Sequence, residues 1–267
     1  MSKVVGPFGF KGTLGNISFF YRKGVASARV KGNGLTKERI LKDPKLKRIR
    51  ENMSEFAGLA VMANSLKLAL GKILEIKDGT LRSRSLRIFA DVKKFSGGVR
   101  GQRPFTLSQF KSLFRNFELN ADALTSNVWL ADSQEVASTP AATRNSSSVT
   151  ISIDDVATAF VPPAEATHFH LMHALGIISD AAFNPETNKY ALTAPDLNGV
   201  NRVTKSSKFP LGSTEPVSVT LETTLPVASV PENATVLEAL GIEFFQEIDG
   251  ALYRLQTGRA MRIINVF

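Results

Sequence analysis

The three histidines of this chain sit together, as His168, His170 and His173 in the stretch THFHLMHALG. A His-x-His pair puts two imidazoles on one face of a strand, where they can share a metal ion. His173 falls on the opposite face of a regular strand, the chain has no cysteine, and Glu165 is the only carboxylate close in sequence. Three ligands would meet only through a bulge or a second chain. The segment therefore reads as a strand with two imidazoles on its polar face, and no metal is expected.

Paired carboxylates are the next candidates for chemistry. Asp154 and Asp155 are adjacent, so on a strand they face opposite ways and do not share a proton. Glu243 and Glu247 share a face but lie about 13 Å apart on an extended strand, which reads as a solvated edge. The glycine-rich GPFGFKGTLGN lacks the phosphate-loop spacing, and a strand rather than a helix follows it. No zinc-protease helix or nucleophile elbow occurs. The expectation is a non-enzyme with no catalytic, cofactor-binding or metal-binding residue.

The elements that hold these residues follow from pattern. Length (267 residues) suits about two domains, and a hydrophobic share of 43% is enough to build cores. The composition excludes collagen, low-complexity disorder and disulfide scaffolds. No apolar run approaches the ~20 residues of a membrane helix, and MSKVVGPFGF lacks the apolar stretch of a secretory signal. A cytoplasmic protein is expected, with export by a signal-independent route left open.

The opening segment has glycines at 6, 9, 12 and 15 and then a hairpin. Ile17, Phe19 and Tyr21 alternate with Ser18, Phe20 and Arg22. Past a turn at Lys23-Gly24, Ala26, Ala28 and Val30 alternate with Ser27, Arg29 and Lys31. Asp43-Pro44 is a helix start. From Leu46 to Ile73 apolar residues recur at helical spacing over about thirty residues. A second helix is predicted over Leu81–Phe95. After the basic loop SGGVRGQRP, a third is predicted over Leu107–Phe117, opened by a Thr106/Gln109 capping box.

Beyond residue 120 the period becomes that of strands. They are predicted at Asn127–Ala131, Ser148–Ile153, Thr167–Ile178, Lys189–Thr193, Val217–Thr223, Val236–Ile248, Ala251–Gln256 and Ala260–Val266, with a hairpin turn at Asp249-Gly250. The fold class is α+β: an N-terminal β-hairpin plus helical bundle over 1–122, then an antiparallel β-sandwich of immunoglobulin-like size over 123–267.

Charge follows the same division. Residues 1–115 hold 25 of the 33 basic residues against seven acids, a formal +18, and the remainder carries −9. Complementary halves favour head-to-tail contacts between copies. The N-terminal hairpin and the final strand AMRIINVF offer edges for strand addition. The expected function is a non-enzymatic structural or assembly protein forming a homo-oligomer, a filament or a shell. Its contacts would come from Arg22, Arg29, Lys47, Arg48, Arg50, Arg82, Arg84 and Arg87. The alternative is sequence-independent binding of DNA or RNA by the same basic half, where Phe19, Phe20 and Tyr21 offer stacking surfaces among cations. The acidic half would oppose a polyanion.

The stretches KGTLGNISFFYRKGVASARVKG and RILKDPKLKRIRENMSEFAGLAVMANSLK, with GIEFFQEIDGALYRL and AMRIINV near the end, resemble an uncharacterised family of bacterial proteins. The resemblance covers the first 70 residues and the C-terminal third. It implies a two-part layout and carries no activity or site residue.

Overall fold

The computed structural model describes residues 2–3, 11–31, 35–129, 134–213 and 215–267. The expected glycine turns at 6 and 9 lie outside them. In chain order come strands β1 (Ser2–Lys3), β2 (Gly12–Leu14), β3 (Ile17–Arg22) and β4 (Val25–Val30), then helices α1 (Lys37–Lys42), α2 (Lys47–Leu70), α3 (Leu81–Ser96) and α4 (Thr125–Val128). Next are β5 (Gln134–Pro140), β6 (Ser146–Ile153), α5 (Val156–Ala159), β7 (His168–Ser179), β8 (Ala181–Asn184), β9 (Lys189–Leu192), β10 (Asn201–Lys205), β11 (Phe209–Pro210), β12 (Val217–Thr224), β13 (Ala234–Ile248), β14 (Ala251–Arg254) and β15 (Ala260–Val266). The class is α+β, as the patterns predict.

Two compact units divide the chain, Met1–Arg50 and Glu51–Phe267. The first holds a four-stranded antiparallel sheet in the order β1-β4-β3-β2. Lys23 and Gly24 both take positive φ, 51° and 77°, the turn that matches the twist of a two-residue hairpin. After the sheet, Thr36 caps α1 through a bond from the Arg39 amide, a helix that the sequence patterns miss. Asp43 then caps the turn that leads into α2, accepting from the Lys45 amide at 2.9 Å.

The second unit is built on a six-stranded sheet. β7 and β13 form its centre, with β10 and β11 along the outer edge of β7 and β14 and β15 along the outer edge of β13. Both central strands are buried on both faces, so they read as continuous apolar runs rather than alternating ones. One face packs against the helices: Met62, Leu66 and Leu70 of α2 and Phe89 and Val92 of α3 share a cluster with Met172, Ala174, Leu237 and Ala239. The other face packs against a three-stranded sheet, β12-β6-β5, where Val149, Ile151, Ile153 and Leu221 meet Phe169, Leu171, Leu240, Ile242 and Phe244.

The boundary expected at 122 falls inside this second unit. The helices have no closed core of their own; their apolar stripes end on the sheet, which fuses the two expected domains from residue 51 onward. Three local expectations also change. Residues 107–117 form two short 3₁₀ turns, Leu107–Gln109 and Lys111–Phe114, and Thr106 makes no capping bond. The strand expected at Asn127–Ala131 is the one-turn helix α4 as far as Val128, and residues 130–131 lie outside the described residues. β5 was not anticipated.

The helical segment Pro44–Ile73 contains an 18-residue stretch of mean hydropathy 1.3, long and apolar enough to cross a membrane by length and composition only. Within it, Met62, Ala63, Leu66, Ala69 and Leu70 are buried in the protein core.

Candidate interaction interface

The register of the N-terminal sheet decides what each face carries. Ile17 pairs with Val30, Phe19 with Ala28 and Tyr21 with Ala26, while Leu14 pairs with Ile17 and Gly12 with Phe19. Paired residues share a face, so Leu14, Ile17, Phe19, Tyr21, Ala26, Ala28 and Val30 form one largely apolar surface. Ser18 pairs with Arg29, Phe20 with Ser27, Arg22 with Val25 and Thr13 with Ser18, which places the cations on the opposite surface. There the Arg29 guanidinium stands 5.4 Å from the centroid of Phe20.

No described side chain of residues 11–50 is buried. On the apolar face Leu14 is 76% exposed, Val30 67%, Tyr21 51% and Ile17 38%. The face measures roughly 20 Å by 15 Å from strand length and spacing, on the order of 300 Å², the lower end of the range for the largest apolar patch of a monomer, which is often a functional one. The chain from 1 to 50 carries thirteen basic residues against two acids, Glu38 and Asp43.

The expected contact residues fall into two groups. Arg22, Arg29, Lys47, Arg48 and Arg50 belong to the first unit. Arg22 and Arg29 are exposed on the sheet and Lys47 and Arg48 at the start of α2. Arg50 turns back, donating to the carbonyls of Ile40 at 2.7 Å and Asp43 at 2.8 Å, so it closes the C-terminal end of α1. Arg82, Arg84 and Arg87 lie on α3 in the second unit. Arg82 and Arg87 are exposed. Arg84 instead serves the fold: it pairs with Asp78 at 2.8 Å, donates to the carbonyls of Glu118 and Leu119, and stands 5.0 Å over the Phe117 ring.

The basic loop at 96–104 is also committed to structure. Glu55, 2% exposed, accepts from Arg103 at 2.8 and 3.0 Å, from Lys93 at 2.8 Å and from the Gly101 amide at 2.8 Å. Burial acts to raise the pKa of this carboxyl, but the bonds from Arg103, Lys93 and Gly101 outweigh it and hold it at about 2. The loop that composition reads as a flexible phosphate-tracking segment is therefore clamped at both of its arginine ends, since Arg100 also pairs with Glu51 at 3.9 Å.

The histidines divide between the two faces of the large sheet, as strand alternation requires. His170 lies on the helix side and meets Glu243 at 2.9 Å. Glu243 is not on a solvated edge: it is 2% exposed, with Lys205 at 3.3 Å, Arg254 at 3.4 Å and Arg259 at 3.9 Å. Burial acts to raise its pKa, and the His170 bond with the charges of Lys205 and Arg254 overrides that and holds it at about 2. Glu247, its proposed companion, stays exposed, 3.8 Å from His168.

His173 faces the smaller sheet. Its Nε2 lies 3.0 Å from Glu238, its Nδ1 2.9 Å from the Thr223 hydroxyl, and Ser138 and Ser147 donate to the same carboxylate at 2.7 and 2.6 Å. A hydroxyl, an imidazole and a carboxylate in line are the parts of a nucleophilic triad. Here His173 and Glu238 are 0% exposed and Thr223 1%, so no substrate reaches them. Among the described residues no group of three or more His, Asp or Glu is placed to hold a metal ion.

No protein-family model matches this chain, and no curated protein matches it in sequence. The functional reading rests on its own geometry.

Two features escape the sequence patterns. Alternation locates the apolar face but does not tell that nothing within its unit covers it. The buried carboxylates escape because one strand period cannot distinguish a solvated face from one packed under helices. A signal was present: Glu238 and Glu243 interrupt the apolar run ATVLEALGIEFF, and the other long apolar strand carries His170 and His173.

Proposed function

We propose that this protein is a non-enzymatic assembly protein that self-associates into a homo-oligomer through its N-terminal arm. The supporting observation is the uncovered apolar face of Leu14, Ile17, Tyr21 and Val30 on a sheet whose cations all point the other way. Two copies meeting by this face bury apolar surface and bring no like charges together. A face of about 300 Å² is smaller than the ~800 Å² per partner of a stable pair. Assembly by this contact alone is therefore weak and concentration-dependent, and pairing at the β2 edge would extend it. The triad-like constellation of Thr223, His173 and Glu238 is sealed from solvent, which supports a role other than catalysis.

Sedimentation velocity on the nuclease-treated full chain over a concentration series tests this reading. A mass above the monomer is expected, reduced by Ile17→Lys or Tyr21→Lys and untouched by Arg22→Glu on the opposite face. A strict monomer at the highest soluble concentration would overturn it.

The second reading is sequence-independent nucleic-acid binding by the cationic face. Arg29 stacked on Phe20, with Arg22 on the same face, supports it, since cation and ring together suit single-stranded nucleic acid.

A further inference from the structure

A cavity of about 270 Å³ opens in the second unit between α2 and the start of α3, lined by Ala63, Leu66, Leu70 and Leu81 below and by Lys67, Lys77 and Arg82 at its mouth. The four apolar residues are 2–6% exposed, so the floor is continuous with the core. Lys67, Lys77 and Arg82 are exposed. The one carboxylate in the lining, Asp78, turns inward with its side chain 1% exposed. It is bonded to Arg84, the Thr80 hydroxyl and amide, and the Ala121 amide. It neither neutralises the rim nor repels an incoming anion at the mouth.

We propose that this cavity binds a small aliphatic carboxylate, its tail on the leucine floor and its head among Lys67, Lys77 and Arg82. At about 30 Å³ for each water-sized group, the volume holds about nine non-hydrogen groups, which suits a medium-chain acid. The cavity and its three cations carry the assignment. An apolar floor without charge excludes a small hydrophilic anion, which would leave its own charge unsolvated on one side. A cationic amphiphile is excluded by the rim.

Isothermal titration of the full chain with octanoate, octylamine and acetate tests the assignment. Saturable binding of octanoate is expected, with none for the other two. Lys67→Gln, Lys77→Gln and Arg82→Gln combined should weaken octanoate binding by about fivefold to tenfold. These residues are exposed, so the variant should keep its circular dichroism and melting temperature. The absence of saturable octanoate binding, equal binding of octylamine, or an unchanged affinity in the triple variant would each overturn the proposal. Ala63→Leu, which occupies the floor while leaving the rim intact, should abolish binding; retained affinity would count against the site.

Discussion

His173 Nε2 lies 3.0 Å from Glu238 Oε1, and neither side chain has any solvent exposure. The pair joins β7 to β13 on the face that meets the small sheet, and Ser138 and Ser147 bring β5 and β6 onto the same carboxylate. Removing one member of such a pair strands its partner in a dry interior. His173→Ala should lower the unfolding free energy by about 3 kcal/mol in urea. Glu238→Ala should add much less in the double variant than alone, because the two act as a unit.

Acid should weaken the protein through Glu55, Asp78 and Glu243. Each has a folded pKa of about 2, against ordinary values of 4.5 for glutamate and 3.8 for aspartate. For Asp78, burial acts upward, and bonds from the Ala121 amide and from Thr80 prevail. The unfolded chain therefore takes up protons first. The stabilisation is complete above the ordinary values and drains away as the pH falls from there toward about 2. Melting temperature measured across this window should fall steeply, and Glu55→Gln or Glu243→Gln should flatten the fall while lowering the plateau.

The helix layer comes close to the sheet where Gly176 of β7 faces the Ala69 carbonyl of α2. A methyl group placed on Gly176 would collide with that backbone, which cannot swing aside as a side chain can. Gly176→Ala should cost about 2 kcal/mol, read by chemical denaturation. Gly212→Ala, with open space around the added carbon, serves as the control.

The two faces of the N-terminal sheet should separate in function. Arg22→Glu with Arg29→Glu should abolish retention of a labelled single-stranded oligonucleotide, if any is retained by the wild type at low salt, and leave the sedimentation profile unchanged. Ile17→Lys should do the reverse. Loss of both properties in either variant would mean that the faces do not act independently.

Clamping of the 97–103 loop has a direct readout. Trypsin should cut slowly after Arg100 in the wild type, because Glu55 accepts from the Gly101 amide of that bond at 2.8 Å and Arg100 itself pairs with Glu51 at 3.9 Å. Glu55→Gln should speed the cut severalfold by opening the loop locally. Equal rates would place the restraint elsewhere.

The α+β class, the long helix from Asp43-Pro44 and the turns at Lys23-Gly24 and Asp249-Gly250 were legible because local chemistry sets each of them. So was the division of the histidines between two faces. The domain boundary was not. Charge and periodicity both change near residue 120, but neither reports that α2 and α3 lack a partner surface until Met172, Ala174, Leu237 and Ala239 supply one. The short third helix failed for a related reason. Leu107, Phe114 and Phe117 are each buried, and tight 3₁₀ turns with Asn116 at φ 62° aim them inward where a straight helix would splay them. The interface residues were legible as charges and not as geometry: Arg84 has the same composition-level signature as Arg82, yet it holds the fold together.

The in-phase pairing of β3 with β4 bears on how this arm can vary in length. Side chains alternate with a period of two, so one residue gained or lost inside Ile17–Arg22 would move Phe19 and Tyr21 to the cationic side and Arg22 to the apolar one. Two residues gained or lost would restore the phase. Among descendants of this sequence, length changes within either strand should therefore come in even steps, while the bends at Gly15-Asn16 and Lys23-Gly24 absorb the odd ones. Parity, rather than any single side chain, is what selection on this arm would preserve.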